Sequence, residues 1–236
     1  MDVLTVDRLA ELYLKYHEQL REVKVEQRAL LRSRPGMRAQ LDDVEAEITY
    51  LLLRDHRPDR VVEIGSLHGW STSWILRALR DNGHGGLHTF DRIDNARRTV
   101  PADLAGDRWR FVEGDVRARL DLMPDDIGYL FLDAAHGGGF ARWYLDAIVP
   151  RLAAGTPVSV HDVFHERWAR PFTEGAVVLR WLARAGVGHF TASRARAPEA
   201  YRRLVGIRQE LGLGDPVHTG RHNPMLYFRS PRAGRG

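Results

Sequence analysis

The 236-residue chain contains no cysteine. That absence removes disulfides, thiolate zinc sites and cysteine nucleophiles together. No apolar run approaches the roughly 18–20 residues of a membrane-spanning helix. The opening stretch MDVLTVDRLAELYLKYHEQL mixes acids with bases on an amphipathic pattern, so it reads as neither a signal nor a transit peptide. A cytoplasmic protein without membrane attachment is the expectation. Long blocks of one charge are also missing. The net charge is +4, yet the arginines interleave with acids, as in RDHRPDR and RIDNARR; only the tail RSPRAGRG is basic without acids. An arginine-rich solvated surface accounts for this pattern, and no nucleic-acid partner is expected.

What is present is enough chain for one large α/β domain with a decorated end. Residues 6–33 have helical periodicity, with Leu9, Leu12, Leu14, Leu20 and Val23 near one stripe. RSRPG interrupts the pattern. A second helix is expected from about Arg38 to Asp55, with Leu41, Val44, Ile48, Leu51 and Leu52 inward. From Arg60 the pattern changes to short apolar strands alternating with helices: RVVEIG, LHTFD, WRFVEGD, IGYLFLDAA and TPVSVHDVF, then GHFTASRA and PMLYFRS. Such alternation predicts a Rossmann-like, doubly wound α/β sheet covered on both faces. The division is therefore an N-terminal helical extension (1–55), one α/β domain (56–230) and a flexible tail (231–236). The extension is free to cap a substrate pocket or to form a homodimer interface.

The turn after the first strand, VVEIGSLHGWSTSWI, carries Gly65 and Gly69 in a G-x-x-x-G spacing. A dinucleotide fingerprint requires G-x-G-x-x-G, and position 67 is leucine. A P-loop requires a lysine after its last glycine, and none follows Gly69. Neither diphosphate cradle is satisfied. The remaining pattern, acid-x-G-x-x-x-G-x-Ser/Thr, resembles the nucleoside loop of class I S-adenosylmethionine-dependent methyltransferases. A cofactor without phosphates needs no full nest of amides, only close approach of its methionine and ribose. The alternative is a tight strand-to-helix turn whose glycines serve packing alone.

The resemblance extends to two further strand ends. Asp91 closes LHTFD, where an acid of this class accepts the ribose hydroxyls. Asp115 ends FVEGD, where an acid of this class accepts from the adenine amino group, with the Val116 amide beside it. It implies that Glu63, Gly65, Ser66, Gly69, Ser71, Asp91, Asp115, Val116 and Asp133 bind S-adenosylmethionine, Glu63 helping to position its amino-acid end. It also implies seven strands, mostly parallel, with the last antiparallel.

Strands four and five end YLFLDAAH and VSVHDVF, so Asp133, His136, His161 and Asp162 should converge at one rim. With EIGSLHGWST and the final HNPMLYFR, this arrangement resembles small-molecule O-methyltransferases related to the macrocin and catechol types, over roughly residues 46–229. Relatives there often hold Mg²⁺ through acids after strands four and five. Carried over, Asp133 and Asp162 are ligands, and His161 stands where an oxygen ligand is usual, which puts the identity and the presence of the metal in doubt, since imidazole suits other divalent ions better. Three readings stand: a divalent metal on Asp133, Asp162 and His161; a metal-free site with His161 or His136 as general base beside Asp133; or structural histidines. His68, Trp70, His165, His218, His222, Asn223, the GGGF turn at 137–140 and the aromatic residues Trp143, Tyr144 and Trp168 are lesser candidates near the site. The expected partner is a small hydroxylated acceptor, such as a sugar or secondary metabolite. Against it stand an amine or carboxylate acceptor, a macromolecular substrate, and a non-catalytic nucleoside-binding module. DAAH after strand four argues against the usual amino-methylation motif.

Overall fold

The computed structural model describes residues 3–231. Two helices come first, α1 (Val6–Ser33) and α2 (Asp43–His56). Then follow β1 (Arg60–Ile64), α3 (Trp70–Asn82), β2 (Gly86–Asp91), the short helices α4 (Asn95–Thr99) and α5 (Ala102–Ala105), and β3 (Trp109–Glu113). The second half contains β4 (Tyr129–Leu132), α6 (Gly138–Ala147), β5 (Pro157–Val160), α7 (Glu174–Arg184), β6 (His189–Thr191), α8 (Pro198–Glu210) and β7 (Leu226–Arg229). Except for Pro231, the tail expected to be flexible lies outside the described residues. No described helix is long and apolar enough to cross a membrane.

The seven strands form one sheet in the order β3-β2-β1-β4-β5-β7-β6. All pairings are parallel except those of β7, which runs antiparallel to both β5 and β6. The near-continuous apolar runs have the expected cause. Alternate residues of each strand face opposite sides, and both sides are covered. Val61, Tyr129, Phe131 and Tyr227 pack with α1, α2, α3 and α8; Val62, Ile64, Leu130, Leu132 and Val160 pack with α6 and α7.

Two local expectations change. Leu14 is 60% exposed. It lies two residues beyond Leu12, on the far side of a 3.6-residue turn, and Tyr13 and Tyr16 occupy the buried stripe instead. The second helix begins at Asp43, not near Arg38, because a capping box starts it: Asp42 accepts from the Glu45 backbone N–H, and the Glu45 carboxylate accepts from that of Asp42.

The N-terminal helices share one apolar core with the sheet and are tied to it by buried ions. Lys24 of α1 donates to Asp43 (2.6 Å) and Glu47 (2.9 Å) of α2, and Arg208 of α8 donates to the same pair at 3.0 and 2.7 Å. Asp43 also accepts from the backbone N–H groups of Val217 and His218, so the segment before β7 is held by the same acid. The strand order reverses between β1 and β4. Their carboxyl ends, with those of β2 and β5, open at one rim, where open α/β sheets bind ligands.

Candidate active site

The β1–α3 turn needs both of its glycines for reasons of backbone crossing. Gly65 has φ +88°, and a Cβ there would stand 1.9 Å from the Asp133 carbonyl oxygen at the end of β4. Gly69, at φ +75°, is the N-cap of α3, and its Cβ would meet Val100 at 2.7 Å. The turn therefore lies directly against β4 on one side and the α4–α5 segment on the other.

Of the four acids expected around the cofactor, the three near the ends of β1, β2 and β3 occupy different environments. Glu63 is fully buried and accepts from Ser71 Oγ (2.6 Å), Thr72 Oγ1 (2.7 Å) and Thr89 Oγ1 (2.8 Å). Burial pushes its carboxyl up to about 7, against the opposing pull of those hydroxyls. Glu63 and Ser71 thus fasten the first turn of α3 to β1 and β2 and do not line the cavity. Asp91 fastens the other half of the turn. Its Oδ2 accepts from the Ser66 N–H (2.7 Å), Ser66 Oγ (2.9 Å) and the Leu67 N–H (2.8 Å), while Oδ1 accepts from the Ile93 N–H at 3.2 Å. A carboxylate has about four acceptor positions, so the remaining capacity is chiefly at Oδ1. Asp115 is paired with Arg117 at 2.5 Å, and that hydrogen bond holds its carboxyl down at about 2.

Gly65, Asp91, Asp115, Val116, Asp133, His136, His161 and Asp162 line one cavity of about 490 Å³. Of the expected site residues, Glu63, Ser66, Gly69 and Ser71 lie outside its lining. Gln40, Leu67, Phe90, Arg92 and Arg117 also line it without having been anticipated, and so does Phe140 of the GGGF turn, which was a lesser candidate. Gln40 comes from the segment before α2, so the N-terminal region contributes directly to the pocket wall.

The two rim histidines differ in kind. His161 is buried, with Nδ1 3.3 Å from Asp133 Oδ1 and 3.4 Å from Asp162 Oδ1, and Nε2 3.5 Å from Glu45 Oε2. Burial alone lowers its pKa, but the surrounding carboxylates outweigh burial and hold it well above the ordinary value. It thus sits among three acids, Asp133, Asp162 and Glu45. His136 is half-exposed on the cavity. Its Nδ1 lies 3.3 Å from Glu174 Oε2 and its Nε2 3.1 Å from Asp162 Oδ2. The bond to Glu174 is the largest influence raising its pKa. Asp162 stands at φ +55°, and His165 reaches its Oδ1 at 3.0 Å. Burial would raise the Asp162 carboxyl, yet contact with His161, His136 and His165 brings it to about 2. Asp133, His136 and Asp162 each offer a ligand atom, all within 4.8 Å of one another; His161 is not part of that group.

Glu45 and Glu174 are the two functional neighbours that sequence reasoning missed. The sequence D-D-V-E at 42–45 fits a capping box that could have marked Glu45 as a helix-start residue, but nothing in the sequence places it against His161. Glu174 opens α7, and no local pattern links it to His136, 38 residues earlier. The lesser candidates scatter. Trp70 is buried and donates to the Leu41 carbonyl at 3.1 Å. His68 faces a separate cleft. Asn223 is buried and donates to Asp42, and the His218 backbone N–H serves Asp43. His222 packs edge-on against His165. Tyr144 is core, Trp143 is partly buried, and Trp168 is exposed. In the GGGF turn, Gly138 donates to the Phe172 carbonyl at 3.1 Å, and Phe140 reaches the cavity.

Comparison with known proteins agrees with this geometry. Residues 62–163 match a family model described as a methyltransferase domain. No curated protein sequence matches the chain. Among solved structures, the O-methyltransferase TomG of Streptomyces achromogenes, involved in tomaymycin synthesis and solved with S-adenosylmethionine, superposes with a TM-score of 0.58 at 15% identity, covering 89% of this chain and 90% of that one. An O-methyltransferase from Bacillus cereus solved with S-adenosylhomocysteine gives 0.55 at 16% identity, covering 90% of each chain. A methyltransferase from Geobacter sulfurreducens gives 0.52 at 18% identity, covering 89% of this chain and 88% of that one. At these identities the solved structures establish a shared fold, and the family match supplies the activity class. Over residues 62–163 the chain is thus similar to methyltransferase domains, and its sheet has the fold of O-methyltransferases solved with S-adenosylmethionine or S-adenosylhomocysteine.

Proposed function

We propose that the chain transfers the methyl group of S-adenosylmethionine to a hydroxyl of a small acceptor, a sugar or secondary-metabolite hydroxyl being the favoured class, with a divalent metal at the rim. The observation that carries this reading is the grouping of Asp133, His136 and Asp162 on the wall of the cavity that also holds Gly65 and Asp91. A donor set of two carboxylates and an imidazole suits a divalent ion. A shared fold with O-methyltransferases supports the hydroxyl acceptor.

In this reading Asp91 accepts ribose hydroxyls through Oδ1, and Asp115 with the Val116 amide meets the adenine. Gly65 lets the methionine portion approach the end of β4. Asp133 places negative charge near the sulfonium, which favours the cationic donor. The sulfonium is already activated, so the site acts mainly by aligning acceptor oxygen, methyl carbon and sulfur. The O–C bond forms as the C–S bond breaks, S-adenosylhomocysteine departs, and the hydroxyl proton is released to solvent. A bound metal would lower the pKa of the acceptor hydroxyl. His161 keeps Asp133 and Asp162 in place as their buried counter-ion.

The test is methyl transfer from labelled S-adenosylmethionine to a panel of hydroxylated, amino and carboxyl acceptors, read by mass spectrometry with and without EDTA. Product on hydroxyl acceptors, abolished by EDTA and restored by a divalent ion, is the expected result. Transfer only to amines or carboxylates, or cofactor binding without turnover on any acceptor, overturns the hydroxyl assignment.

A further inference from the structure

We propose that His136, oriented by the buried carboxylate of Glu174, is the nitrogen ligand of the rim metal site, and that the site accordingly takes a transition ion such as Mn²⁺ in preference to Mg²⁺. This rests on the metal reading above and adds to it a specific ligand, a positioning residue and an ion class.

The argument starts from which imidazole has a lone pair to give. Both ring nitrogens of His161 are turned to carboxylates at ion-pair distance, without hydrogen bonds: Nδ1 is 3.3 Å from Asp133 Oδ1 and 3.4 Å from Asp162 Oδ1, and Nε2 is 3.5 Å from Glu45 Oε2. It is also buried, and it is not part of the group of ligand atoms formed by Asp133, His136 and Asp162. His136 is arranged the opposite way. Its Nδ1 is 3.3 Å from Glu174 Oε2, and an Nδ1–H donated to a carboxylate fixes the tautomer that leaves the Nε2 lone pair toward the cavity. Nε2 lies 3.1 Å from Asp162 Oδ2. The other oxygen of Asp162 is engaged by His165 and His161, so Oδ2 is the one presented to this space.

Glu174 is suited to hold that orientation because it cannot wander. Only 2% of its side chain is exposed. Its backbone N–H donates to the His136 carbonyl at 3.0 Å, and the Gly138 N–H donates to the Phe172 carbonyl at 3.1 Å. Gly137 and Thr173 complete an antiparallel bridge between the two segments. The start of α6 and the start of α7 are thereby clasped, with His136 and Glu174 facing across the clasp. A histidine backed by a carboxylate is a common way to set a metal ligand. Imidazole ligation discriminates against Mg²⁺, which favours all-oxygen, near-octahedral surroundings.

The experiment titrates the full-length protein with Mn²⁺ alone, following free ion by electron paramagnetic resonance and bound ion by echo-envelope spectra. One Mn²⁺ per chain is expected, with modulation from a coordinated imidazole nitrogen and with Mg²⁺ competing at least about tenfold more weakly. His136→Ala should lose the nitrogen modulation. Glu174→Gln should keep it while weakening Mn²⁺ by about tenfold or more. His161→Gln should also keep it. Melting temperature and S-adenosylmethionine affinity, measured on each variant, separate ligand loss from misfolding. Nitrogen modulation that survives in His136→Ala overturns the ligand assignment, Mg²⁺ binding as tightly as Mn²⁺ overturns the ion class, and wild-type Mn²⁺ affinity in Glu174→Gln overturns the positioning role. If millimolar Mn²⁺ leaves the protein metal-free while methyl transfer persists in EDTA, the metal site fails and the methyl-transfer reading stands. Mn²⁺ binding as expected without transfer to any hydroxyl has the opposite meaning.

Discussion

Glu63 makes a prediction that separates buried electrostatics from cofactor contact. Its carboxyl is fully buried between β1, β2 and α3, and burial pushes its pKa up to about 7 from the ordinary 4.5. The folded state therefore binds the proton more tightly than the unfolded chain does. A raised carboxyl contributes stability that is fully present below the unfolded pKa and is lost as pH rises through the folded one. At 1.36 kcal/mol per unit, the shift between the two values is worth about 3 kcal/mol in full, of which about 2.5 kcal/mol disappears between pH ~5 and ~8. Other shifted groups, such as His136, whose carboxylate neighbours raise its pKa, also shape the wild-type curve, so that curve alone is not diagnostic. The comparison is with Glu63→Gln, which cannot ionise. Urea unfolding at a series of pH values should show the variant gaining on wild type by about 2–3 kcal/mol across that window. Parallel curves would refute the reasoning. Because Glu63 does not line the cavity, the same variant should bind S-adenosylmethionine within about threefold of wild type, a difference of less than about 1 kcal/mol. A much larger loss would restore direct contact with the cofactor.

Asp91→Ala should weaken S-adenosylmethionine at least about tenfold by calorimetry, because it removes charge-assisted acceptors for the ribose; unchanged affinity ends that assignment. Gly65→Ala forces a methyl to 1.9 Å from the Asp133 carbonyl at φ +88°. It should cost more than about 3 kcal/mol in urea unfolding or prevent folding outright, and a stable variant would show that the turn can move away from β4. Arg208→Leu strips one cation from the buried Lys24–Asp43–Glu47 cluster and should destabilise by about 3–5 kcal/mol, since two acids remain with a single partner. A loss of under about 1 kcal/mol would mean that Lys24 alone neutralises the pair.

The sheet was legible because its strands are covered on both faces and so read as short apolar runs between helices, from RVVEIG to PMLYFRS. The nucleoside loop was legible through two negative facts, leucine at 67 and no lysine after Gly69. The reason given for its glycines was incomplete. Ligand approach was the expectation, whereas Gly65 and Gly69 are required first by the Asp133 carbonyl and by Val100. Local patterns carry φ preferences well and through-space crossings poorly. The same limit explains the acids. Glu63 lies one residue before the end of β1 and Asp91 ends β2, yet one faces the first turn of α3 and the other reaches the loop before it. Only the side-chain partners, Thr89 and Ser71 against Ser66 and Leu67, tell fastening from lining. His136 and His161 look interchangeable in DAAH and VSVHD. Their difference comes from Glu174 and Glu45, residues remote in sequence that set one ring toward the cavity and enclose the other.

Glu45 also shows why the first 55 residues are poorly described as an extension. One carboxylate closes the capping box of α2 on Asp42, accepts from the Met225 backbone N–H at 3.0 Å, and faces His161 at 3.5 Å. The start of α2, the approach to β7 and the counter-ion of Asp133 and Asp162 thus share a single side chain. Asp42 in turn holds Asn223 at 2.9 Å, and Asp43 holds the N–H groups of Val217 and His218. These acids are buried, and leaving any of their partners without its charge would be costly. A chain lacking α1 and α2 would expose the α3 face of the sheet and would also remove one of the three carboxylates that keep His161 charged. With that cation weakened, Asp133 and Asp162 would repel one another across the rim. The helices ahead of the first strand therefore help to hold the arrangement of Asp133, His161 and Asp162, quite apart from any surface they present to a second copy.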